Sequence, residues 1–170
     1  MMADKIMNVL FLCTGNSARS IIAEALLSRW GEGKFKPYSA GSHPKGKVHP
    51  LALELLEKQG FNTASFRSKS WDEFSKPDAP KIDFIFTVCD NAANEVCPVW
   101  PGQPMSAHWG IADPDQPGLP VERQRKLFLK AYSELNNRIK LFTCLPFTKL
   151  EKMSLQEKLN EIGKTDSISS

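Results

Sequence analysis

The feature that most constrains this chain is the stretch VLFLCTGNSARS, Val9–Ser20, in which an apolar run ends on a cysteine. The four apolar residues before Cys13 predict a buried strand, and SIIAEALLSRWG, which follows, has the apolar spacing of a helix. Gly15 and Asn16 in the short connection tolerate backbone angles that other residues avoid, so the chain can turn tightly there. This stretch therefore predicts the first strand and helix of an α/β fold.

The alternation of strands and helices continues along the chain. Further strands are predicted at KPYSAGS, IDFIFTVC and MSAHWGI, and further helices at HPLALELLEKQGF and Val121–Phe142. Such alternation implies right-handed crossovers and a parallel sheet covered on both faces. With 170 residues the chain has room for one such domain, which we place at 1–144. Residues 145–170 are predicted to be a polar tail, first helical and then disordered.

Composition and charge exclude several classes of function. The net charge of +3, from 22 basic and 19 acidic residues that are interspersed, is too small for a nucleic-acid-binding surface. No apolar stretch is long enough to cross a bilayer, and the N-terminal segment lacks the basic start of a signal peptide. We therefore expect a cytoplasmic monomer that binds a small anion and has no nucleic-acid or membrane partner.

The loop between Cys13 and Arg19 is suited to a tetrahedral oxyanion. Its backbone N–H groups and the positive end of the next helix surround one centre, and Arg19 adds a planar fork for two oxygens. Cys13 is then expected as a thiolate nucleophile, with Ser20 donating a hydrogen bond to the sulfur. The spacing alone is equally compatible with an inert cysteine, but the Gly, the Asn and the strand-to-helix context favour the nucleophile. The predicted anion-binding residues are Thr14, Gly15, Asn16, Ser17 and Ala18.

The chain has four cysteines, Cys13, Cys89, Cys97 and Cys144. In a reducing compartment such residues are more often catalytic or metal-binding than structural. Cys13 and Cys89 both end predicted strands, and ligand sites form at the carboxyl ends of parallel strands, so we expect the two to share one site. No short Cys–Cys or His–His spacing supports a metal site.

These residues carry a resemblance to a known family. VLFLCTGNSARS resembles the active-site loop of the low-molecular-weight protein tyrosine phosphatases and of the arsenate reductases with the same fold. SAGSHP, the HP before the second helix and ADP at Ala112–Pro114 are similar to further family landmarks, in the expected order. The resemblance extends from Met7 to about Leu141. It implies a four-stranded parallel sheet flanked by helices, with Asp113 on a loop over the site, where the phosphatases use it as general acid.

The family contains two chemistries, which residues outside the loop distinguish. A phosphatase needs only Cys13, Arg19 and Asp113 to form and hydrolyse a phosphocysteine. Tyrosine phosphatases usually also have a cysteine just before the arginine and aromatic residues after the DP, where this chain has Ala18 and DPDQPG. A phosphotyrosine ring would find little to stack on. Hydrolysis of phosphate monoesters is therefore the alternative function, or a residual activity.

The segment TVCDNAANEVCPVWPGQPMSAHWGIADP resembles the redox segment of the arsenate reductases. The resemblance implies that Cys13 attacks arsenate, that Cys89 attacks the Cys13 sulfur as arsenite leaves, and that Cys97 then moves the disulfide outward. An arsenical-resistance oxidoreductase of this kind would use an external thiol reductant, thioredoxin rather than glutaredoxin with glutathione. Phosphate and sulfate should occupy the loop in place of arsenate. The predicted catalytic residues are Cys13, Arg19, Ser20, Cys89, Cys97 and Asp113.

Three residues, Asn16, Glu24 and Ser39, match positions that bind potassium in some related reductases. Ser70 stands where the resemblance implies an acidic residue, so potassium is at most an optional cofactor. No tightly bound cofactor is expected. His43 and His49 are predicted to orient loops or to cap the second helix.

Overall fold

The structure, a computed structural model, describes residues 6–89, 104–147 and 152–164. The four strands within these ranges form one parallel sheet in the order β2-β1-β3-β4, which confirms the predicted α/β fold. A short 3-10 helix, which was not predicted, lies between the second helix and the third strand. The elements are β1 (Met7–Cys13), α1 (Arg19–Trp30), β2 (Phe35–Gly41), α2 (Pro50–Lys58), the 3-10 helix (Trp71–Phe74), β3 (Phe84–Thr87), β4 (Met105–His108), α3 (Val121–Thr143) and α4 (Lys152–Gly163).

The central strand β1 determines where the sheet's carboxyl edge presents its side chains. It pairs with β2 along its whole length, so Cys13 lies opposite Gly41. On its other side it pairs with β3, and the backbone N–H of Val88, just after β3, donates to the Leu12 carbonyl at 2.9 Å. This register brings Cys89 to the same edge of the sheet as Cys13.

The core has two parts because β1 is apolar on both faces. Val9 and Phe11 belong to the larger cluster and Leu10 and Leu12 to the smaller one, as the alternation of a strand requires. Each of the helices α1 to α4 contributes residues to the larger cluster. The smaller cluster includes Trp71 and Phe74 of the 3-10 helix, so this four-residue helix covers that face of the sheet.

Helix α4 lies within 145–170, the segment predicted as a polar tail. Its apolar residues Leu155, Leu159 and Ile162 are buried in the larger core cluster. The indole N–H of Trp109 donates to the Leu159 carbonyl at 3.0 Å. This helix therefore shares the core of the sheet domain, while the proposed boundary after residue 144 stays a prediction.

The predicted disorder at the end of that segment falls on 165–170, outside the described residues. Within the described part of the chain, no helix combines the length and the hydropathy needed to cross a bilayer.

Candidate active site

The loop after β1 is held from behind by Asn16. This residue has a positive φ of 43°, a conformation that asparagine tolerates better than most side chains. Its amide nitrogen donates to Ser20 Oγ at 2.7 Å, and its amide oxygen accepts from the Lys69 backbone N–H at 2.8 Å. The side chain is fully buried, so these bonds fix the turn from the interior of the protein.

The same loop is held from outside by the segment 43–49. An anion-binding loop needs its carbonyl groups bonded elsewhere, because a free carbonyl oxygen would repel the ligand. Three backbone N–H groups of the segment meet this need. The backbone N–H of His43 donates to the Thr14 carbonyl at 2.9 Å, that of Lys45 to the Gly15 carbonyl at 3.0 Å and that of His49 to the Ser17 carbonyl at 2.8 Å.

A pocket of about 220 Å³ opens at this loop. Arg19 and Lys45 bring positive charge to it, and none of the described residues that line it is Phe, Tyr or Trp. Such a lining suits a bare tetrahedral anion better than an aryl phosphate. The lining residues are Cys13, Thr14, Gly15, Ser17, Ala18, Arg19, His43, Lys45, Asp113 and Asp115.

Arg19 and Asp113 face each other across the pocket. The guanidinium Nη1 of Arg19 donates to the Ile111 carbonyl at 2.8 Å, and Nη2 lies 3.6 Å from Asp113 Oδ2. Asp113 Oδ1 accepts the backbone N–H of Asp115 at 2.9 Å. The Arg19 side chain is 14% exposed and that of Asp113 is 49% exposed, so the acid lies at the open side of the site.

Two buried thiols meet beneath the loop. Cys89 hydrogen-bonds to Cys13, and its sulfur lies 3.3 Å from the backbone nitrogen of Thr14 and 3.6 Å from Thr14 Oγ1. The hydrogen bond that the Cys13 thiol shares with Cys89 keeps the proton on Cys13 and, together with burial, raises the pKa of Cys13, while Arg19 and the Gly15 backbone lower it by less. This contact between the two thiols, which the sequence did not reveal, opposes the thiolate that the loop and Arg19 favour, and the resting thiolate at Cys13 stays a prediction.

Comparison with known proteins identifies the family. Residues 8–158 match the family model of the low molecular weight phosphotyrosine protein phosphatases. The chain belongs to this family. The match extends past residue 141 and into α4, further than the motifs indicated.

Relatives within this family include arsenate reductases. The arsenate reductase of Halalkalibacterium halodurans is 33% identical over 134 residues, which cover 79% of this chain and 93% of the relative. A crystal structure of arsenate reductase from Archaeoglobus fulgidus has 28% identity and a TM-score of 0.61, covering 79% of this chain and 98% of that one. The thioredoxin-dependent arsenate reductase of Corynebacterium glutamicum has 28% identity and a TM-score of 0.58 over 81% of this chain. This chain spans 60% of the length of that structure.

The other predicted site residues have different outcomes. Ser20 is buried and accepts the bond from Asn16, while its bond to the Cys13 sulfur stays a prediction. Cys97 lies outside the described residues. The helix-capping role of His49 is confirmed, since its Nδ1 accepts the Leu51 backbone N–H at 3.0 Å at the start of α2.

The residues proposed for potassium lie behind the loop. Ser39 Oγ donates to Glu24 at 2.5 Å, and burial raises the pKa of Glu24, partly opposed by the charge of Lys69. The Lys69 side chain is itself buried, and burial lowers its pKa. Ser70 caps the 3-10 helix instead of offering a carboxylate. A lysine thus brings positive charge to Glu24, and potassium binding stays a prediction.

Three contacts of the site were not found from the sequence. Asp115 Oδ1 lies 3.3 Å from His49 Nε2, and Asp115 Oδ2 lies 3.4 Å from Lys45 Nζ. Thr14 contacts Cys89 across 75 sequence positions. The only local signal was the second acid of DPD, because contacts of such long range leave no pattern in a single sequence.

Proposed function

We propose that this protein is an arsenate reductase, which takes two electrons from its own cysteines. The observation that carries the proposal is the buried thiol of Cys89 in hydrogen-bond contact with Cys13. A phosphatase of this family needs no second thiol, whereas reduction of arsenic(V) to arsenic(III) needs a source of two electrons. The relatives named arsenate reductases give independent support.

Arsenate would bind in the loop 14–18. The backbone N–H groups, the N-terminus of α1 and the guanidinium of Arg19 match a tetrahedral anion in shape and charge. Phosphate and sulfate have the same shape, so we propose that they bind there and compete with arsenate. Catalysis by free thiols needs a reducing compartment, and we propose the cytoplasm.

Two steps complete the reduction. In the first, the Cys13 sulfur bonds to arsenic and one arsenic–oxygen bond breaks. The departing oxygen keeps its own proton and receives a second from Asp113, leaving as water, while the thiol proton replaces the one that Asp113 gave. In the second step, the Cys89 sulfur attacks the Cys13 sulfur, its thiol proton passes to an oxygen of the arsenic group, and the sulfur–arsenic bond breaks with its electron pair on arsenic. Arsenite leaves, and the two thiols become one disulfide.

An external dithiol must then reduce that disulfide. Cys13 and Cys89 are 4% and 2% exposed, so a reductant protein has little access to either sulfur. This burial supports the relay in which Cys97 attacks Cys89 and carries the disulfide outward. We propose thioredoxin as the reductant, in agreement with the Corynebacterium glutamicum relative, which is named as thioredoxin-dependent.

The test is arsenate-dependent thiol consumption, measured with purified thioredoxin and glutaredoxin systems supplied separately. We expect turnover with thioredoxin, and none with thioredoxin for Cys89→Ser. The Cys89→Ser variant should still hydrolyse an activated aryl phosphate slowly, because phosphoryl transfer uses Cys13 without Cys89. Equal loss of both activities in a folded variant would make Cys89 a structural residue.

Peptide mapping tests the relay itself. Wild-type protein given arsenate without a reductant should accumulate a Cys89–Cys97 disulfide, and Cys97→Ser should stop with Cys13 joined to Cys89. Absence of any Cys89–Cys97 linkage after one turnover would contradict the relay.

Phosphate monoester hydrolysis is the second candidate function. Cys13, Arg19 and Asp113 meet at one pocket, and this set is sufficient for a phosphocysteine mechanism. We propose it as a residual activity, because the pocket lining among the described residues offers an aryl group no phenyl, phenol or indole ring.

A further inference from the structure

Asp115 joins the loop that carries Asp113 to the other side of the pocket. Its carboxylate lies 3.3 Å from His49 Nε2 and 3.4 Å from Lys45 Nζ. The side chains of Asp115 and His49 are 21% and 18% exposed, so their contact is largely shielded from water. We call Asp115, His49 and Lys45 the clasp.

The orientation of His49 is set from several sides. Its Nδ1 accepts the Leu51 backbone N–H, so in the neutral ring the proton is on Nε2 and points toward Asp115. The ring packs on Phe128, which is buried in the core, with centroids 4.7 Å apart. Its backbone N–H donates to the Ser17 carbonyl of the anion loop at 2.8 Å. The His49 ring is therefore held in place with its Nε2 toward Asp115, and the His49 backbone is bonded to the anion loop, residues 14–18.

Lys45 connects the same two regions. Its backbone N–H donates to the Gly15 carbonyl at 3.0 Å, and its aliphatic chain covers Gly15. The ammonium group then reaches Asp115. Because Lys45 is 58% exposed, we assign it the smaller part of the clasp.

The clasp adjoins Asp113, which lies two residues before Asp115. The Asp113 side chain is half exposed, so packing does little to hold it. Instead the backbone N–H of Asp115 bonds to Asp113 Oδ1, which leaves Oδ2 beside Arg19 on the pocket side. A general acid works only when its proton is within hydrogen-bond reach of the leaving oxygen.

We propose that His49 and Asp115 are positioning residues that hold Asp113 over the bound anion. The inference rests on the proposed function, in which Asp113 is the general acid of the first step. It adds to that function two residues that act through Asp113 and take no proton or bond in the reaction themselves.

The decisive variant is His49→Asn. Asparagine is a favoured N-cap, so its side chain keeps the bond to the Leu51 backbone N–H at the start of α2, but it is too short to reach Asp115. We expect kcat for arsenate to fall about tenfold, while KM changes less than about twofold, because general-acid catalysis is weakened and anion binding is retained. Asp115→Ala should behave in the same way.

Two further variants complete the series. Asp115→Asn keeps an oxygen that accepts from His49 and should recover most of the loss seen in Asp115→Ala. Asp78→Ala removes an exposed carboxylate far from the clasp in sequence and serves as the control, with unchanged kinetics. A similar loss in Asp115→Asn and Asp115→Ala would contradict the hydrogen-bonding role.

A double-mutant cycle separates positioning from general damage. In an Asp113→Asn background, His49→Asn should cause no further loss, since there is no acid left to position. An equal tenfold loss in both backgrounds would overturn the proposal.

The outcome can be distinguished from failure of the proposed function. If wild-type protein does not reduce arsenate, that function is wrong, and the same cycle is read on hydrolysis of p-nitrophenyl phosphate. Amide exchange in 112–116 gives a readout without any turnover. Exchange should become faster in His49→Asn, and unchanged exchange would show that the clasp does not hold this loop.

Discussion

The two loops that face each other across the pocket are held in different ways. The anion loop is buried, with Asn16, Ser17 and Ala18 at most 8% exposed, and its backbone is bonded on both sides. In the other loop Asp113 is half exposed, and Asp115 beside it contacts His49 through its side chain. The anion loop is thus part of the core, whereas the loop with Asp113 is attached to the core from outside. Substitutions in the anion loop should therefore lower both stability and activity, and substitutions in the loop with Asp113 should lower activity alone.

The largest effect is expected at the centre of the anion loop. Cys13→Ser should abolish both arsenate reduction and aryl phosphate hydrolysis, because a serine hydroxyl stays protonated at neutral pH and is a much weaker nucleophile. Arg19→Lys should lose most of both activities, since an ammonium group cannot replace the bidentate fork. Both activities are measured beside thermal unfolding. Turnover of arsenate by Cys13→Ser would show that the nucleophile is wrong.

Gly41→Ala should lower both the stability of the fold and the activity. A Cβ at Gly41 would lie 2.5 Å from the Thr14 carbonyl oxygen and 2.7 Å from that of Cys13, and backbone atoms cannot move aside cheaply. We expect a loss of about 1–3 kcal/mol in the free energy of unfolding. A shift of the loop by about 1 Å would lower activity by about a hundredfold. Urea unfolding and arsenate turnover measure the two effects.

Gly33→Ala is the matched control for that change. Gly33 has a positive φ of 84°, and no heavy atom of the described residues lies within 4 Å of the position that an alanine Cβ would take. Alanine there strains the backbone without touching the site. It should lower stability by about 1 kcal/mol and leave kcat unchanged. If Gly41→Ala behaved like this control, the close packing behind the anion loop would not matter for activity.

Asp113→Asn tests the loop that carries Asp113. We expect kcat for arsenate to fall about a hundredfold, because asparagine cannot give up a proton to the leaving oxygen. The free energy of unfolding should change by less than about 0.5 kcal/mol, since the side chain is half exposed. A large loss of stability here would remove the distinction between the two loops.

The smallest effect concerns the ionisation of Cys13. Contact with Cys89 raises the pKa of Cys13, so Cys89→Ala should lower that pKa and increase the thiolate fraction at a given pH. Alkylation of Cys13 by iodoacetamide at about pH 8 should become a few times faster, since the thiolate is the reactive form. Mass spectrometry of the Cys13 peptide measures the rate, with Cys144→Ala as the control. An unchanged rate would mean that Cys89 does not suppress ionisation.

Much of the fold was accessible from the sequence because its elements carry strong local patterns. The predicted helix Val121–Phe142 is observed as Val121–Thr143, and the strand before Cys13 ends where the apolar run ends. The 3-10 helix Trp71–Phe74 was missed because four residues are too few to show a helical period. The buried face of α4 was also missed, since charged residues surround its three buried apolar ones.

The difference between local and long-range patterns also explains which parts of the candidate site could be predicted. Cys13 to Arg19 are neighbours in sequence, so one motif was enough to propose them together. The clasp joins His49 to Asp115 across 66 positions, and no local pattern predicts such a contact. The sequence predicted that Cys13 and Cys89 lie at the same edge of the sheet. It did not predict that the two thiols are in contact or that this contact raises the pKa of Cys13.

The contact between Cys13 and Cys89 also has a kinetic consequence. In the proposed reaction, the second thiol already touches the sulfur that it must attack. Well-oriented intramolecular reactions proceed as if the partner were present at about 10⁵–10⁸ M, a concentration that no dissolved thiol can approach. The lifetime of the arsenic-bound cysteine would then be set by the protein itself, and the cell's supply of thiols would govern only how soon the enzyme is ready for the next arsenate.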